Sequence, residues 1–227
     1  MEPFAGGAQL FFSKEPAEVN VISDLDPELI SFYRKLRSYR EPLSCDMKTD
    51  RERFEKIKAK KNKTVCDYLY LNKNSFSCNM NTFAPSRILK KCKGDLINCN
   101  IKTLAENIDA VKNLLRRAEI ESQDFREVLL KYDSPETFFY VDPPYVGPNK
   151  KECLYRKYCG VTPREVAEAV KNLKGKVLIS YDDHPDVRRA FKGLRWKIEK
   201  VKMQYGFEQI EPGGKLRERV ELLIRNY

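Results

Sequence analysis

The sequence is poor in metal-binding side chains and has no long apolar run. Its 227 residues include one histidine, His184, and seven cysteines with no Cys-x-x-Cys pair. We therefore expect no zinc site, and the odd number of cysteines favours a reduced, cytoplasmic setting over a disulfide framework. No stretch of about 18 apolar residues is present, so we expect no membrane span. The N-terminus lacks the basic-then-apolar pattern of a signal peptide.

Acidic residues are outnumbered by basic ones. Lys and Arg number 43 against 33 Asp and Glu, which gives a formal net charge of +10 at pH 7. This excess favours a polyanionic partner such as a nucleic acid, although a lysine-rich surface that only serves solubility has the same composition. The length predicts one domain, or one domain with an insertion.

The stretch with the clearest chemical meaning is Phe138–Tyr145, with the sequence FFYVDPPY. Its four leading apolar residues predict a short buried strand, and Asp142 follows at the carboxyl end, where open α/β sheets bind ligands. Pro143 and Pro144 end the strand and stiffen the loop, which lets the Pro143 carbonyl act as a second acceptor. Tyr145 offers a flat face to a planar ring. Two acceptors beside an aromatic ring suit the exocyclic amino group of a base.

A second candidate ligand-binding segment lies near the N-terminus. Gly6 and Gly7 are adjacent, which allows the backbone to approach a ligand closely. A predicted strand, Val19–Ser23, ends at Asp24 about 20 residues after these glycines, where an acid can accept hydrogen bonds from ribose hydroxyls. A turn residue or a helix N-cap is the alternative role for Asp24.

Three segments in this order resemble the Dam-like D12 class of N6-adenine DNA methyltransferases. They are Glu2–Gly7, Asp24–Tyr33 and Asp142–Tyr145, and the resemblance runs from residue 2 to the end of the chain. It implies an α/β fold with a Rossmann-like methyltransferase sheet, mostly parallel with a C-terminal antiparallel hairpin, and helices on both faces. It also implies a catalytic domain formed by residues 1–39 and 101–227, with residues 40–100 as an inserted basic target-recognition segment.

The resemblance also implies a methyl donor, S-adenosylmethionine, and no metal. The residues that would bind this donor are Pro3, Phe4, Ala5, Gly6, Gly7, Asp24, Asp124, Phe125 and Asp142. In this family pattern Asp124 would accept from the adenine amino group of the donor, and Phe125 would lie against that ring. A helix N-cap and a core phenylalanine are the alternatives for these two residues. Asp142, Pro143, Pro144 and Tyr145 would form the catalytic loop.

The segment between residues 40 and 100 is the expected DNA-binding region. Lys56–Lys63 carries five lysines in eight residues, which indicates either a track for phosphates or a solvated helix face. Asp67–Phe76 resembles a family block whose end faces DNA. The residues expected to contact DNA are Asn72, Lys73, Asn74 and Arg87.

Apolar spacing predicts further elements. Two predicted helices begin at Leu10 and Thr162, and four more cover Pro27–Leu36, Leu104–Ala118, Phe125–Tyr132 and Val187–Phe191. The predicted strands are Glu119–Glu121, Lys176–Ser180 and a terminal pair around Glu211–Gly214 that ends with Val220–Ile224. Val146–Gly160 is expected to be a lid. We interpret His184 as local loop architecture rather than a catalytic base, and Trp196 as a core residue.

The predicted function is methylation of the N6 amino group of adenine in a specific sequence of double-stranded DNA, by base flipping. A DNA-binding fragment with impaired catalysis, and an RNA or cytosine amino methyltransferase, are the alternatives. Relatives carry a Gly-Gly-Lys segment upstream of the glycine loop, whereas this sequence starts at Met1. We expect that segment and most of the first strand to be absent, which would weaken donor binding. The remaining expectations are a monomer, a possible restriction endonuclease partner, and a cytoplasmic, prokaryotic or phage-encoded protein.

Overall fold

The computed structural model describes residues 1–75, 79–84, 101–146, 160–204 and 218–227. It is a mixed α/β protein whose chain divides into two compact units. The first unit comprises residues 5–124, and the second comprises residues 1–4 together with the described residues from 125 onward. No helix in the described part of the chain is long and apolar enough to cross a membrane.

The first unit contains six helices and a pair of strands within its described residues. They are α1 (Gln9–Ser13), β1 (Asn20–Ser23), α2 (Pro27–Arg37), α3 (Arg51–Lys58), α4 (Val65–Lys73), α5 (Ile101–Glu106), α6 (Ile108–Arg116) and β2 (Ala118–Glu121). Strands β1 and β2 are parallel, with Asn20 opposite Ala118 and Ser23 opposite Glu121. The strand and helix predicted after the glycine loop are therefore confirmed.

Side-chain caps define where two of these helices begin. The Asp26 side chain accepts from the backbone N–H of Glu28 at the start of α2, with Pro27 in the first turn. Thr64 and Asp67 form a reciprocal capping box at the start of α4. Each cap satisfies backbone N–H groups that have no partner inside the helix.

The predicted single helix Leu104–Ala118 is wrong, because the structure has α5 and α6 separated at Asn107. The Asn107 N–H bonds to the carbonyl of Leu104, three residues back, at 3.2 Å, and its backbone has φ −109° and ψ 11°. The Asn107 side chain makes no capping hydrogen bond to α6, so the break is defined by the backbone conformation. Ala118 is already the first residue of β2.

The core of the first unit joins α2 to the segment after residue 40. The rings of Phe32 and Tyr68 stack with their centroids 4.3 Å apart, and both side chains are buried. Cys45 and Cys66 are joined by a disulfide, a pairing that the argument from cysteine number did not anticipate. The described part of the proposed recognition segment thus shares a hydrophobic core with α2, and its functional role stays a prediction.

The second unit contains a four-stranded sheet with three helices among its described residues. The elements are α7 (Phe125–Lys131), β3 (Phe138–Val141), α8 (Pro163–Val170), β4 (Lys176–Asp182), α9 (Pro185–Ala190), β5 (Lys197–Gln204) and β6 (Glu218–Arg225). The strand order is β3-β4-β6-β5. β3 and β4 are parallel, whereas β6 is antiparallel to both β4 and β5. The antiparallel hairpin is confirmed, but the described sheet of this unit is mixed rather than mostly parallel.

The first residue of the chain pairs with strand β3. The amino terminus of Met1 donates to the carbonyl of Phe138 at 2.8 Å, and the N–H of Tyr140 donates to the Met1 carbonyl at 2.9 Å. The backbone before the glycine loop therefore runs alongside β3. Glu2 and Pro3, which follow, are buried.

Candidate active site

The structure places Asp142 directly after β3, at the carboxyl end of the strand. The residue keeps exposed surface at this edge. Surrounding protein nevertheless displaces water from the carboxylate, and this desolvation raises its pKa above the ordinary value. An accessible but poorly hydrated carboxylate is a strong acceptor for a ligand N–H group.

Ser180, on the neighbouring strand β4, holds the Asp142 carboxylate. Its hydroxyl donates to Asp142 Oδ1 over 2.6 Å, and Ser180 is itself buried. Because β3 and β4 are parallel, their carboxyl ends meet at one edge of the sheet. The Tyr140 hydroxyl, 3.3 Å from Ser180 Oγ, extends this hydrogen-bonded group.

Tyr145 points its hydroxyl into the same group of side chains. Its oxygen donates to Ser180 Oγ at 3.5 Å. Desolvation, and then the charge of Asp142, raise the pKa of Tyr145, so the phenol stays neutral. The ring lies 5.9 Å from that of Tyr181 at an interplanar angle of 30°.

Sequence reasoning missed Ser180 and Glu221. The sequence predicts Ser180 only as part of a strand, although a hydroxyl near the carboxyl end of a strand is a usable signal for a ligand-binding edge. Glu221 directly precedes the apolar residues Leu222–Ile224 of strand β6, and it is buried with 8% of its surface exposed.

The loop after Tyr145 is anchored where it begins. The N–H of Val146 donates to Asp182 Oδ1 at 3.2 Å. Most of the predicted lid, residues 147–159, lies outside the described residues. His184 caps helix α9, since its Nδ1 accepts from the N–H of Asp186 at 3.1 Å. This confirms the local role predicted for His184.

In the first unit, Asp24 holds the glycine loop. Its Oδ2 accepts from the N–H of Gly6 at 3.0 Å, and its Oδ1 accepts from the N–H of Asp26 at 2.9 Å. The Tyr33 hydroxyl donates to the Gly6 carbonyl at 2.6 Å. Gly6 adopts a positive φ of 47°, which glycine tolerates best. Asp24 is therefore a turn residue, while Asp26 is the N-cap of α2.

The glycine loop retains polar groups that fit a ligand rich in hydroxyls. A carboxylate can accept about four hydrogen bonds, and the bonds from Gly6 and Asp26 leave acceptor capacity on Asp24. The Ser23 hydroxyl, at the end of β1, is fully buried and has no hydrogen-bond partner in the described structure. No atom lies within 4 Å of a Cβ built on Gly6, so the loop is open there.

Two aromatic residues from the predicted donor-binding set lie together in the second unit. The rings of Phe4 and Phe125 are 4.8 Å apart, and Phe125 is buried in the core. The Arg126 guanidinium covers the Phe125 ring at 4.6 Å. This packing agrees with the core role considered for Phe125. Asp124, half-buried, directly precedes α7, and contact of either residue with the donor stays a prediction.

The residues predicted to contact DNA differ in their exposure to solvent. Asn72 and Asn74 are buried, and the Asn74 amide donates to the Tyr70 carbonyl and accepts from the Thr49 hydroxyl, both at 2.9 Å. Neither amide is therefore presented to a base in this conformation. Lys73 is exposed, whereas Arg87 lies outside the described residues.

Some lysines of the basic run bind acids within the protein. Lys60 pairs with Asp67 at 2.8 Å, and Lys63 lies 3.4 Å from Glu28. These two charges are thus partly neutralised by the first unit itself. Across the residues that the structure describes, no group of three or more His, Cys, Asp or Glu side chains could hold a metal ion.

Comparison with known proteins identifies the family. The profile of the D12 class N6 adenine-specific DNA methyltransferases matches residues 1–207. The type II methyltransferase M.MjaIII of Methanocaldococcus jannaschii is 29% identical over 188 residues, which are 70% of this chain and 63% of that protein. The type II methyltransferase M.CviBI of Paramecium bursaria Chlorella virus NC1A is 24% identical over 238 aligned positions, covering 100% of this chain and 89% of that protein. The chain therefore belongs to the D12 class of N6 adenine-specific DNA methyltransferases.

Proposed function

We propose that this chain transfers a methyl group from S-adenosylmethionine to the N6 amino group of adenine in a specific sequence of double-stranded DNA. The observation that carries the proposal is the Asp142 carboxylate, fixed by Ser180 beside the neutral phenol of Tyr145. The chain that carries this acceptor and this aromatic ring belongs to a family of adenine-specific DNA methyltransferases.

The proposed chemistry depends on the acceptors at the end of β3. The lone pair of an adenine amino group is delocalised into the ring, so this nitrogen is a poor nucleophile. Hydrogen bonds from its two N–H groups to Asp142 and to the Pro143 carbonyl favour a more pyramidal, electron-rich nitrogen in the transition state. When bound, S-adenosylmethionine would supply the electrophilic methyl group, and its S–CH3 bond would break to leave S-adenosylhomocysteine. The methylated ammonium then loses its proton readily, so a strong base is not required.

Tyr145 is proposed to bind the target base after it leaves the duplex. Unstacking a base costs a few kcal/mol, and stacking on an aromatic side chain offsets part of that cost. Pro143 is buried and Pro144 is half-buried, so the two prolines give the loop a fixed start before Tyr145.

The proposed residues for the methyl donor are those of the glycine loop with Asp24, Asp124 and Phe125. Asp24 has acceptor capacity for ribose hydroxyls, and the open position at Gly6 leaves room for the ligand beside the backbone. The structure describes these groups in two separate units. Binding of S-adenosylmethionine by this chain is therefore measured separately from methyl transfer.

We also propose the finer organisation that the resemblance implies. A Rossmann-like sheet would form the catalytic domain, and residues 40–100 would contact DNA, with exposed Lys73 among the phosphate contacts. The chain would act as a cytoplasmic monomer. A restriction endonuclease partner is proposed because two relatives are named type II methyltransferases.

The decisive experiment measures methyl transfer from labelled S-adenosylmethionine to unmethylated bacterial DNA, with the modified nucleoside identified. N6-methyladenine is the expected product. Asp142→Ala should abolish the transfer and leave DNA binding largely intact, whereas Asp109→Ala, a change at an exposed aspartate of the first unit, should leave both unchanged.

Other products would favour the alternatives. A methylated cytosine, or transfer to RNA in preference to DNA, would contradict the adenine assignment. Salt-dependent DNA binding with neither donor binding nor transfer would instead support a DNA-binding protein without catalysis. Turnover retained by Asp142→Ala would contradict the mechanism.

A further inference from the structure

The loop between helices α2 and α3, residues 40–49, is held by few interactions. It contains no helix or strand, and no backbone–backbone hydrogen bond of the described structure involves it. Leu43 is buried, Cys45 and Met47 are half-buried, and the other residues of the loop are exposed. A segment with exposed backbone and few apolar contacts opens locally at a low cost in free energy.

A covalent bond ties the middle of this loop to a well-anchored helix. Cys45 is bonded to Cys66, which lies 21 positions later in the first turn of α4. Their Cα atoms are 5.3 Å apart, a separation that a disulfide spans without movement of the backbone. Helix α4 is fixed by its capping box and by buried side chains such as Tyr68 and Leu69. The disulfide therefore holds the loop against a rigid element.

The other contacts of the loop are weak or lie at its end. Asp46 forms an ion pair with Arg53 on the surface, where such pairs contribute little to stability. The Thr49 hydroxyl donates to the Asn74 amide at 2.9 Å, but Thr49 is the last residue of the loop. Without the disulfide, the packing of Leu43 and Met47 against the core would be the main attachment of the loop.

Both bonded cysteines are half-buried, so small thiols can reach the disulfide. In the cytoplasmic setting proposed for this chain, accessible disulfides usually act as redox sensors rather than as permanent links. Oxidation removes two protons and two electrons from the Cys45 and Cys66 thiols. A small-molecule disulfide accepts them by thiol–disulfide exchange and becomes two thiols, and excess thiol drives the reverse reaction.

We propose that the Cys45–Cys66 disulfide is a redox-sensitive clamp that fixes residues 40–49 against helix α4. In the oxidised protein the loop is held at its middle. In the reduced protein only its apolar and terminal contacts remain, so it opens more often. The clamp goes beyond the proposed function and does not depend on it.

A consequence for DNA binding does rest on the proposed function. Arg40 and Lys48 are exposed and make no ion pair within the described part of the chain, so both are available to phosphates. They belong to the segment that is proposed to contact DNA. A clamped segment loses less conformational entropy on binding than a loose one. The oxidised protein should therefore bind duplex DNA about threefold to tenfold more tightly than the reduced protein.

The first measurement asks whether the disulfide forms in the full chain. The protein is equilibrated with oxidised glutathione, its free thiols are alkylated, and it is digested with trypsin without reductant. Mass spectrometry should find the peptide Glu41–Lys48 joined to Thr64–Lys73 through Cys45 and Cys66. A reductant added before alkylation should abolish this product.

Thermal melting tests the effect of the clamp on stability. Reduction of the wild type should lower its melting temperature by about 5–15 °C, the effect of opening one disulfide in a protein of this size. The double variant Cys45→Ser/Cys66→Ser should melt like the reduced wild type and should not respond to reductant. Ser44→Ala is the matched control, because Ser44 is the exposed neighbour of Cys45. It should keep the response of the wild type.

Limited proteolysis tests the clamp at the loop itself. Without reductant, trypsin should cleave the double variant after Arg40 and Lys48 at least tenfold faster than it cleaves the oxidised wild type, because cleavage follows local opening. The same two proteins are then compared in binding to a fluorescent DNA duplex.

Each outcome supports or overturns a defined part of the proposal. Absence of the linked peptide, or equal melting and cleavage of the oxidised wild type and the double variant, would overturn the clamp. A response to reductant that persists in the double variant would assign the effect to another cysteine. A confirmed clamp with equal DNA affinity in both redox states would overturn the effect on DNA alone. Oxidised wild type that binds no DNA would count against the proposed function and leave the clamp standing.

Discussion

The Ser180 hydroxyl and the Asp142 carboxylate, on neighbouring parallel strands, are joined by a hydrogen bond of 2.6 Å. The bond occupies one acceptor position of Oδ1 and fixes the orientation of the carboxylate. It also favours the ionised form of Asp142, against the desolvation that raises its pKa. Ser180 thus fixes the direction of the proposed catalytic acceptor and favours its ionised form.

Ser180→Ala should therefore lower kcat for methyl transfer by about tenfold to a hundredfold, because a hydrogen bond to a charged group is lost. Affinity for DNA should change little, since Ser180 is buried. Steady-state kinetics with a binding assay on the same variant measure both effects. Ser180→Thr keeps the hydroxyl and serves as the conservative control. Equal losses in Ser180→Ala and Ser180→Thr would show that packing, and not the hydrogen bond, is responsible.

The same variant has a predicted effect on pH dependence. Asp142 accepts hydrogen bonds best when ionised, so the rate should fall as pH drops through its raised pKa. Ser180→Ala removes a bond that lowers this pKa, so the acid limb of the kcat/KM profile should move to higher pH. A profile that stays in place would mean that another group controls the acid limb.

Tyr145→Ala should weaken capture of the flipped base, because the aromatic face is removed. The expected loss is about 1–3 kcal/mol for one base–aromatic stack. The fluorescence of a 2-aminopurine placed at the target position, which rises on unstacking, measures capture directly. Tyr227→Ala is the control, since Tyr227 is a 41% exposed tyrosine of the same unit. Equal fluorescence with the wild type and Tyr145→Ala would contradict the stacking role.

Asp24→Ala should lower affinity for S-adenosylmethionine by tenfold or more, on the order of 1.4 kcal/mol. The change removes the acceptor for the Gly6 N–H along with the proposed acceptor for ribose hydroxyls. Calorimetric titration with the donor measures the loss. Asp24→Asn separates the two contributions, because its amide oxygen can still accept from Gly6. Unchanged affinity in both variants would exclude Asp24 from the donor site.

Gly175→Ala should destabilise the second unit. A Cβ built at Gly175 would stand 2.6 Å from the Thr137 carbonyl oxygen and 2.7 Å from a ring carbon of Phe139. Overpacking of this kind costs about 1–3 kcal/mol, and each kcal/mol lowers the melting temperature by about 2–4 °C in a protein of this size. Gly160→Ala is the matched control, because nothing lies within 4 Å of a Cβ there. Equal melting temperatures would show that the backbone adjusts at Gly175.

The sequence correctly predicted those elements that depend on residues close together in the chain. Strand β3 and its acid, the capped helix after Thr162 and the antiparallel terminal strands all follow from patterns within about ten residues. The family followed from motif order and is confirmed. The sites for donor and DNA remain predictions.

What the sequence did not provide depends on contacts between distant residues. Ser180 and Asp142 are 38 positions apart and meet only because two strands are adjacent. Asn74 resembles a surface residue in the sequence, yet its amide is satisfied by Tyr70 and Thr49 inside the first unit. Burial and hydrogen-bond satisfaction are tertiary properties that local patterns do not encode.

The stack of Phe32 on Tyr68 has a consequence for protein engineering. Specificity is commonly altered by exchanging a variable segment between related enzymes. Here such a graft of residues 40–100 would replace Tyr68, and with it one ring of a 4.3 Å pair in the first unit. A transplanted segment would need a residue that packs against Phe32 of helix α2. The two parent enzymes must therefore be matched at this pair before the selectivities of the chimaeras can be compared.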